Sequence, residues 1–198
     1  MSTPTRLYHL PRSRSTRVLW ALAEIGAPYE VTLMTGAERK SDAHLARHAL
    51  GRVPVIEDDA GYLFESAAIV LALADRHPDA GLNFPLGSRE RDLVYQWVVF
   101  AVAELEPLIV AVRDLRETDA QRAAAASERF GAGAALLEQA LIGREFIVSD
   151  RLSAADIIVG SISGFARRFD LLAGFPEVSR YLDGLEARPA FQQASAAA

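Results

Sequence analysis

The chain has 198 residues, 51% of them hydrophobic and 24% charged, with a formal net charge of −5 and no cysteine. That is enough chain to bury a core, as one large domain or two small ones, and the composition is that of a folded soluble protein. The acidic balance argues against a nucleic-acid partner; the missing cysteines exclude disulfides, thiolate metal sites, cysteine nucleophiles and a CxxC redox pair, so any sulfur chemistry must use sulfur brought by a ligand.

The opening MSTPTRLYHLPRS has no apolar core of signal-peptide length, and a cytoplasmic protein is the expectation. Arg6–Leu10 reads as a short strand. Arg17–Ile25 has helical periodicity, with Val18, Leu22 and Ile25 on one face, Trp20 toward another, and Gly26 as a stop. Tyr29–Leu33 is a second strand, and a helix between two strands predicts a parallel βαβ unit. Ser41–His48 reads as a short helix. Val53–Glu57 and Tyr62–Phe64 are strands joined by the turn DDAG, and Ser66–Arg76 is a helix ending before Pro78.

Residues 77–87 (HPDAGLNFPLG), rich in Pro and Gly, read as a linker between a domain at 1–76 and a helical domain at 88–198. In the second part Ser88 caps a long helix to about Ala111, with Pro107 as a candidate kink. Its most apolar stretch, Leu93–Ala103, is interrupted by Gln96 and reads as too short to cross a bilayer. Asp119–Leu141 is a second helix. Ser153 and Asp156 form a capping box that opens a third, and Pro176 sits in the first turn of a fourth, which ends before Pro189.

Three stretches, LYHLPRSRSTRVLWALAEIGAPYEV, GRVPVIEDDAGYLFESAAIVLALAD and GREFIVSDRLSAADIIVG, fall in register on this β-α-β-α-β-β-α then all-α order. Together they resemble the cytosolic glutathione transferases, in the group that uses serine rather than tyrosine. The resemblance covers nearly the whole chain. It implies a thioredoxin-like N-terminal domain that holds glutathione, a co-substrate, and an all-helical C-terminal domain that supplies most of a pocket for a hydrophobic electrophile. It also implies a homodimer and a detoxifying transferase.

Ser13 lies between the first strand and the first helix in Pro11-Arg12-Ser13, and the resemblance makes its hydroxyl the catalytic one. The thiolate is the nucleophile, and a free thiol of pKa about 8.5 is only about 3% ionised at neutral pH. Lowering that pKa to about 6.5 requires about 2.7 kcal/mol. One hydrogen bond to a charged group contributes about 1.5–3 kcal/mol, and a helix N-terminus adds to it, so one hydroxyl there has the right size. Ser15, two residues on, and Tyr8, at the end of the first strand, are the rival hydroxyls; Tyr8 reads better as a packed strand residue.

The resemblance further implies that Val53-Pro54 is a cis pair whose Val53 backbone faces the cysteinyl part of glutathione. It implies that Glu65 and Ser66 hold the γ-glutamyl end, although Ser66 with Glu65 beside it also reads as a plain helix cap. Arg52 and, more loosely, Lys40 match positions for the glycyl carboxylate; a solvated charge is the alternative for both. His48 and Ala49 replace the usual Asn-Pro ahead of the VP pair. His44 and His48 have helical spacing for two metal ligands but lack a third, so they read as surface histidines and no metal is expected. Tyr95, Trp97, Phe100 and Phe165 could line that pocket, but an aromatic on an amphipathic helix is more often core, and none is taken as a site residue. Glutathione-dependent reduction of peroxides or disulfides, and a non-catalytic ligand- or protein-binding role, are the alternative functions.

Overall fold

In the computed structural model, which describes residues 4–196, β1 (Thr5–His9), α1 (Ser15–Ile25) and β2 (Tyr29–Leu33) form the parallel βαβ unit, with Leu7 opposite Val31. β3 (Val55–Asp58) runs antiparallel to β1, with Tyr8 opposite Val55, and β4 (Gly61–Phe64) closes a hairpin with β3. The sheet order is β2-β1-β3-β4, a thioredoxin-like mixed sheet. β3 starts at Val55 rather than at Val53 because Pro54, joined to Val53 by a cis bond, has no N–H for a ladder.

Compact packing divides the chain into two units, one running to Leu82 and rejoined from Arg188 on, the other Asn83–Ala187. In the first, Leu7, Val55 and Ile56 of the sheet are wholly buried, as are Val18 of α1 and Ile69, Val70 and Leu73 of α3 (Ser66–Arg76). Each such side chain contributes about 1.5–3 kcal/mol. Pro189 does not merely end a helix. It opens α9 (Pro189–Ala196), which packs on α1 rather than with the helical unit. Proline suits a first helical turn because its missing N–H has no partner there anyway. Phe191 meets Trp20 edge-on at 5.0 Å, and Arg188 grips Glu24 at 2.7 and 2.9 Å. This explains why Trp20, on the second face of α1, is also buried.

The expected helix over 41–48 is shorter. Ser41 caps α2 (Asp42–Leu45) by accepting from the His44 N–H at 3.3 Å, and the chain then turns away toward Gly51. His44 and His48 are both buried, so the surface reading of them is corrected: one ring anchors a loop carbonyl, the other packs at a 43° tilt against Phe64, centroids 4.6 Å apart. Among the described residues no group of three His, Asp or Glu could hold a metal ion.

In the helical unit Ser88 caps α4 (Arg89–Phe100), accepting from the Arg91 N–H at 3.2 Å. Pro107 produces its effect one turn early: the helix widens to π geometry over Ala101–Leu105 before resuming as α5 (Glu106–Leu115). A proline ring collides with the carbonyl four residues back, and a wider turn relieves it. Gly133 of α6 (Ala120–Leu141) lets Leu105 of the π turn close in; a Cβ there would lie 2.6 Å from its methyl. The uninterrupted run Arg89–Leu115 is long and apolar enough to cross a membrane, which corrects the shorter reading of Leu93–Ala103. Within this unit, however, its apolar positions Val94, Val98, Ala101, Leu105 and Ile109 are buried against α6 and α7 (Ala154–Arg167).

The capping box at the start of α7 is buried and reaches further than two residues. One Asp156 oxygen accepts from the Ser153 N–H and hydroxyl, both at 2.8 Å; the other accepts from the Ile147 N–H at 2.8 Å and the Tyr181 hydroxyl at 2.9 Å. Tyr181 comes from α8 (Pro176–Glu186), so one carboxylate ties the loop at Ile147 and two helices together.

Candidate functional site

Register alone gathers the site residues of the first unit. Tyr8 pairs with Val55, and Val55 pairs with Phe64. The loop leaving β1, the approach to β3 and the exit from β4 therefore open at one end of the sheet. They carry Ser13, Val53-Pro54 and Glu65-Ser66 respectively. The β2 exit joins them, since the Met34 N–H donates to the His9 carbonyl at 2.7 Å. Lys40 and Arg52 are exposed on the segments beyond.

The three candidate hydroxyls have different surroundings. Ser13 is half-buried; its hydroxyl donates to the Leu10 carbonyl at 2.7 Å, lies 2.7 Å from the Ser15 oxygen, and accepts the Ser15 N–H at 3.2 Å. Ser15 is fully buried, with the His9 ring Nδ1 at 2.8 Å and both the N–H and carbonyl of Leu10 at 3.1 Å. Tyr8 is buried in a small cluster with Met34 and Val55, and Val53 packs on it. Its hydroxyl donates to Glu57 at 2.5 Å, and the Arg47 guanidinium lies 4.4 Å over its ring. Burial first, and the bond to Glu57 second, push its phenol above the usual range. A hydroxyl has one proton, so Tyr8 has none to spare. Arg14, not a serine, occupies the N-cap of α1 and makes no side-chain cap bond.

Around Val53-Pro54 the chain is held from behind. The His44 Nε2–H donates to the Arg52 carbonyl at 2.9 Å. Gly51 has φ +60° and approaches the Arg39 carbonyl so closely that a Cβ would sit 2.6 Å from that oxygen. These two contacts fix the entry to β3 where His48 and Ala49 depart from the Asn-Pro pattern. They leave the Arg52 side chain exposed.

Glu65, not Ser66, is the N-cap of α3, and its side chain makes no cap bond. Ser66 is the first helical residue and is buried; the Arg17 guanidinium reaches its hydroxyl at 3.4 Å. Arg17 is itself buried, a charged residue directly ahead of the apolar run 18–23 of α1, and that position is its signal in the sequence. Three described residues other than glycine have positive φ, and two of them flank this site: Arg12 at 59° and Glu65 at 70°. Such conformations cost about 1–3 kcal/mol and cluster at binding sites.

In the helical unit, Phe100 borders a hollow of about 300 Å³ with Glu104, Leu105, Leu108, Arg129 and Gly133. Trp97 packs edge-on against Phe100 at 5.7 Å, Phe165 against Phe169 at 5.3 Å, and the Tyr95 hydroxyl accepts from Arg91 at 2.7 Å.

A thioredoxin-like mixed sheet followed by an all-helical unit defines the architecture. Within it, residues 3–75 match the glutathione S-transferase N-terminal domain family and residues 92–189 the glutathione S-transferase C-terminal domain family. The chain belongs to the glutathione S-transferase family. It is 32% identical to a maleylacetoacetate isomerase of Pseudomonas aeruginosa over 96% of this chain and 94% of that protein. Its 33% identity to glutathione S-transferase 3 of Schizosaccharomyces pombe spans 53% of this chain and only 44% of that protein. The structure of a sphingomonad glutathione S-transferase complexed with glutathione superposes with a TM-score of 0.86 at 29% identity, covering 97% of this chain and 98% of that one.

Proposed function

We propose that the chain is a serine-type glutathione transferase, acting as a cytoplasmic homodimer, that joins the glutathione thiolate to a hydrophobic electrophile. The observation that carries this reading is the convergence of Ser13, Val53-Pro54 and Glu65-Ser66 at one end of the sheet. Ser13 donates to the sulfur, because Ser15 is sealed inside and Tyr8 is committed to Glu57. The Val53 backbone pairs with the cysteinyl residue as a strand pairs with a peptide. Ser66, the α3 N-terminus and the Arg17 charge behind them take the γ-glutamyl carboxylate, and Glu65 takes its ammonium. Arg52 and Lys40 take the glycyl carboxylate.

The sulfur lone pair attacks the electrophilic carbon, a C–S bond forms, and a leaving group such as halide departs with its bonding electrons. The thiol proton has by then gone to solvent. Isothermal calorimetry with glutathione tests the binding, and turnover of a generic aryl halide tests the transfer; no binding would remove the reading. The isomerase among the relatives favours a second reading. There the thiolate adds to a conjugated double bond, the new single bond rotates, and the thiolate is expelled. Glutathione is consumed in the first case and regenerated in the second.

Glu65 gives a separate test. Glycine tolerates its φ of 70° without strain. Glu65→Gly is therefore expected to stabilise the fold by about 1 kcal/mol. It also removes a charge-assisted bond to the ammonium, so glutathione affinity falls about tenfold. Thermal melting and calorimetry read the two changes; a variant with less stability and full affinity would contradict both halves.

A further inference from the structure

The surroundings of Ser15 carry more than support for a loop. Its oxygen lies within bonding distance of His9 Nδ1 at 2.8 Å, Ser13 Oγ at 2.7 Å, and the Leu10 N–H and carbonyl at 3.1 Å each. A hydroxyl has one proton to give and two lone pairs to receive. The Leu10 N–H fills one lone pair. If the proton of the His9 ring sits on Nδ1, it fills the other, and Ser15 can then act only as a donor. Its shorter acceptor is Ser13 Oγ. Ser13 in turn accepts both the Ser15 hydroxyl and the Ser15 N–H, the latter at 3.2 Å, and its own proton is the last in the row.

We propose that His9 and Ser15 form a buried positioning relay that turns the Ser13 proton outward and strengthens it as a donor; this rests on the reading of Ser13 as the partner of the glutathione sulfur. At rest the Ser13 proton lies on the Leu10 carbonyl at 2.7 Å. When the thiolate arrives, that proton swings to the sulfur, while the Ser15 proton stays on Ser13 Oγ. An oxygen that accepts two hydrogen bonds is a better donor, because each bond polarises the next. No bond is made or broken in His9 or Ser15; they act through Ser13 alone. With the ring proton on Nε2 instead, Ser15 would give its proton to His9 and Ser13 would lose its hydroxyl support.

The test uses the whole protein. The ultraviolet absorption of bound thiolate, followed against pH, gives the ionisation constant of bound glutathione; calorimetry with S-methylglutathione, which has no thiol, reports whether the site is intact. Ser15→Ala and His9→Leu are expected to lower that ionisation constant about threefold and turnover with it, with S-methylglutathione affinity unchanged. His9→Asn, whose amide N–H can stand in for Nδ1–H, is expected to restore it. An unchanged ionisation constant in both variants, with Ser13→Ala still lowering it, overturns the relay and leaves the role of Ser13 standing. An unchanged constant in Ser13→Ala as well overturns both. Nitrogen-15 NMR of the wild-type His9 ring needs no variant to fold: a proton on Nδ1 is expected, and one on Nε2 overturns the relay.

Discussion

Asp156→Ala is expected to cost about 4 kcal/mol of stability, a large share of the roughly 5–15 kcal/mol that a folded protein holds. The reason is the number of donors left behind. The Ile147 N–H, the Ser153 N–H and hydroxyl, and the Tyr181 hydroxyl all converge on this carboxylate, and all three residues are buried. A buried donor without a partner costs about 1–3 kcal/mol, and water reaches only some of the four after truncation. Asp156→Asn keeps one acceptor oxygen and is expected to lose about half as much. Urea unfolding reads both; a loss below about 1 kcal/mol for the alanine variant would show that the knot is not what holds α7 to α8.

The same knot has a pH signature on the alkaline side. Burial, then the Asp156 charge, pushes the Tyr181 phenol well above the usual range of a phenol. A group that holds its proton more tightly when folded gives stability that is complete below its unfolded pKa and is lost as pH rises beyond it. Stability is therefore expected to fall above about pH 10. Tyr8, also raised, acts in the same direction. Tyr181→Phe loses about 1.5–3 kcal/mol at neutral pH but declines less steeply in alkali; an equally steep decline would place the titrating group elsewhere.

What could be read in the sequence follows from how local its cause is. The periodicities of β1, α1, β2 and α3 and the caps Ser88, Ser153 and Asp156 are set by neighbours within a turn or two, and they stand in the structure where the residues put them. Other features were invisible because their causes lie far along the chain. α9 exists by docking Phe191 and Arg188 on a helix more than 160 residues earlier. His44 is buried because it holds the Arg52 carbonyl, and His9 because Ser15 waits across a turn. The candidate site residues were legible as motifs, yet only register and burial distinguish the surroundings of the Ser13, Ser15 and Tyr8 hydroxyls. Arg17 shows the limit well. Its charge beside the apolar run of α1 was plain, but its contact with Ser66 lies 49 residues on, at the start of another helix.

Ser13→Ala is expected to lower turnover of an aryl halide about 25-fold near neutral pH, the ratio of about 75% to about 3% thiolate. Removing a donor to an anion raises the pKa of that anion, so the deficit is a deficit of ionised sulfur. It should therefore shrink as pH rises, because a free thiol is itself about three-quarters ionised near pH 9. Two effects soften the neutral-pH loss. The N-terminus of α1, where Arg14 makes no side-chain cap, still contributes about 0.3–1 kcal/mol to a nearby anion. A thiolate of higher pKa is also the stronger nucleophile per ionised molecule. Ser13→Thr keeps the hydroxyl and should keep most of the rate. S-methylglutathione should bind all three proteins alike, since it offers no thiol to ionise. A rate for Ser13→Ala equal to wild type at neutral pH would move the donor to another residue. A deficit that stays constant into alkali would mean that Ser13 positions the sulfur rather than ionising it, because a higher pH ionises the thiol without the lost hydrogen-bond donor but cannot replace a missing contact.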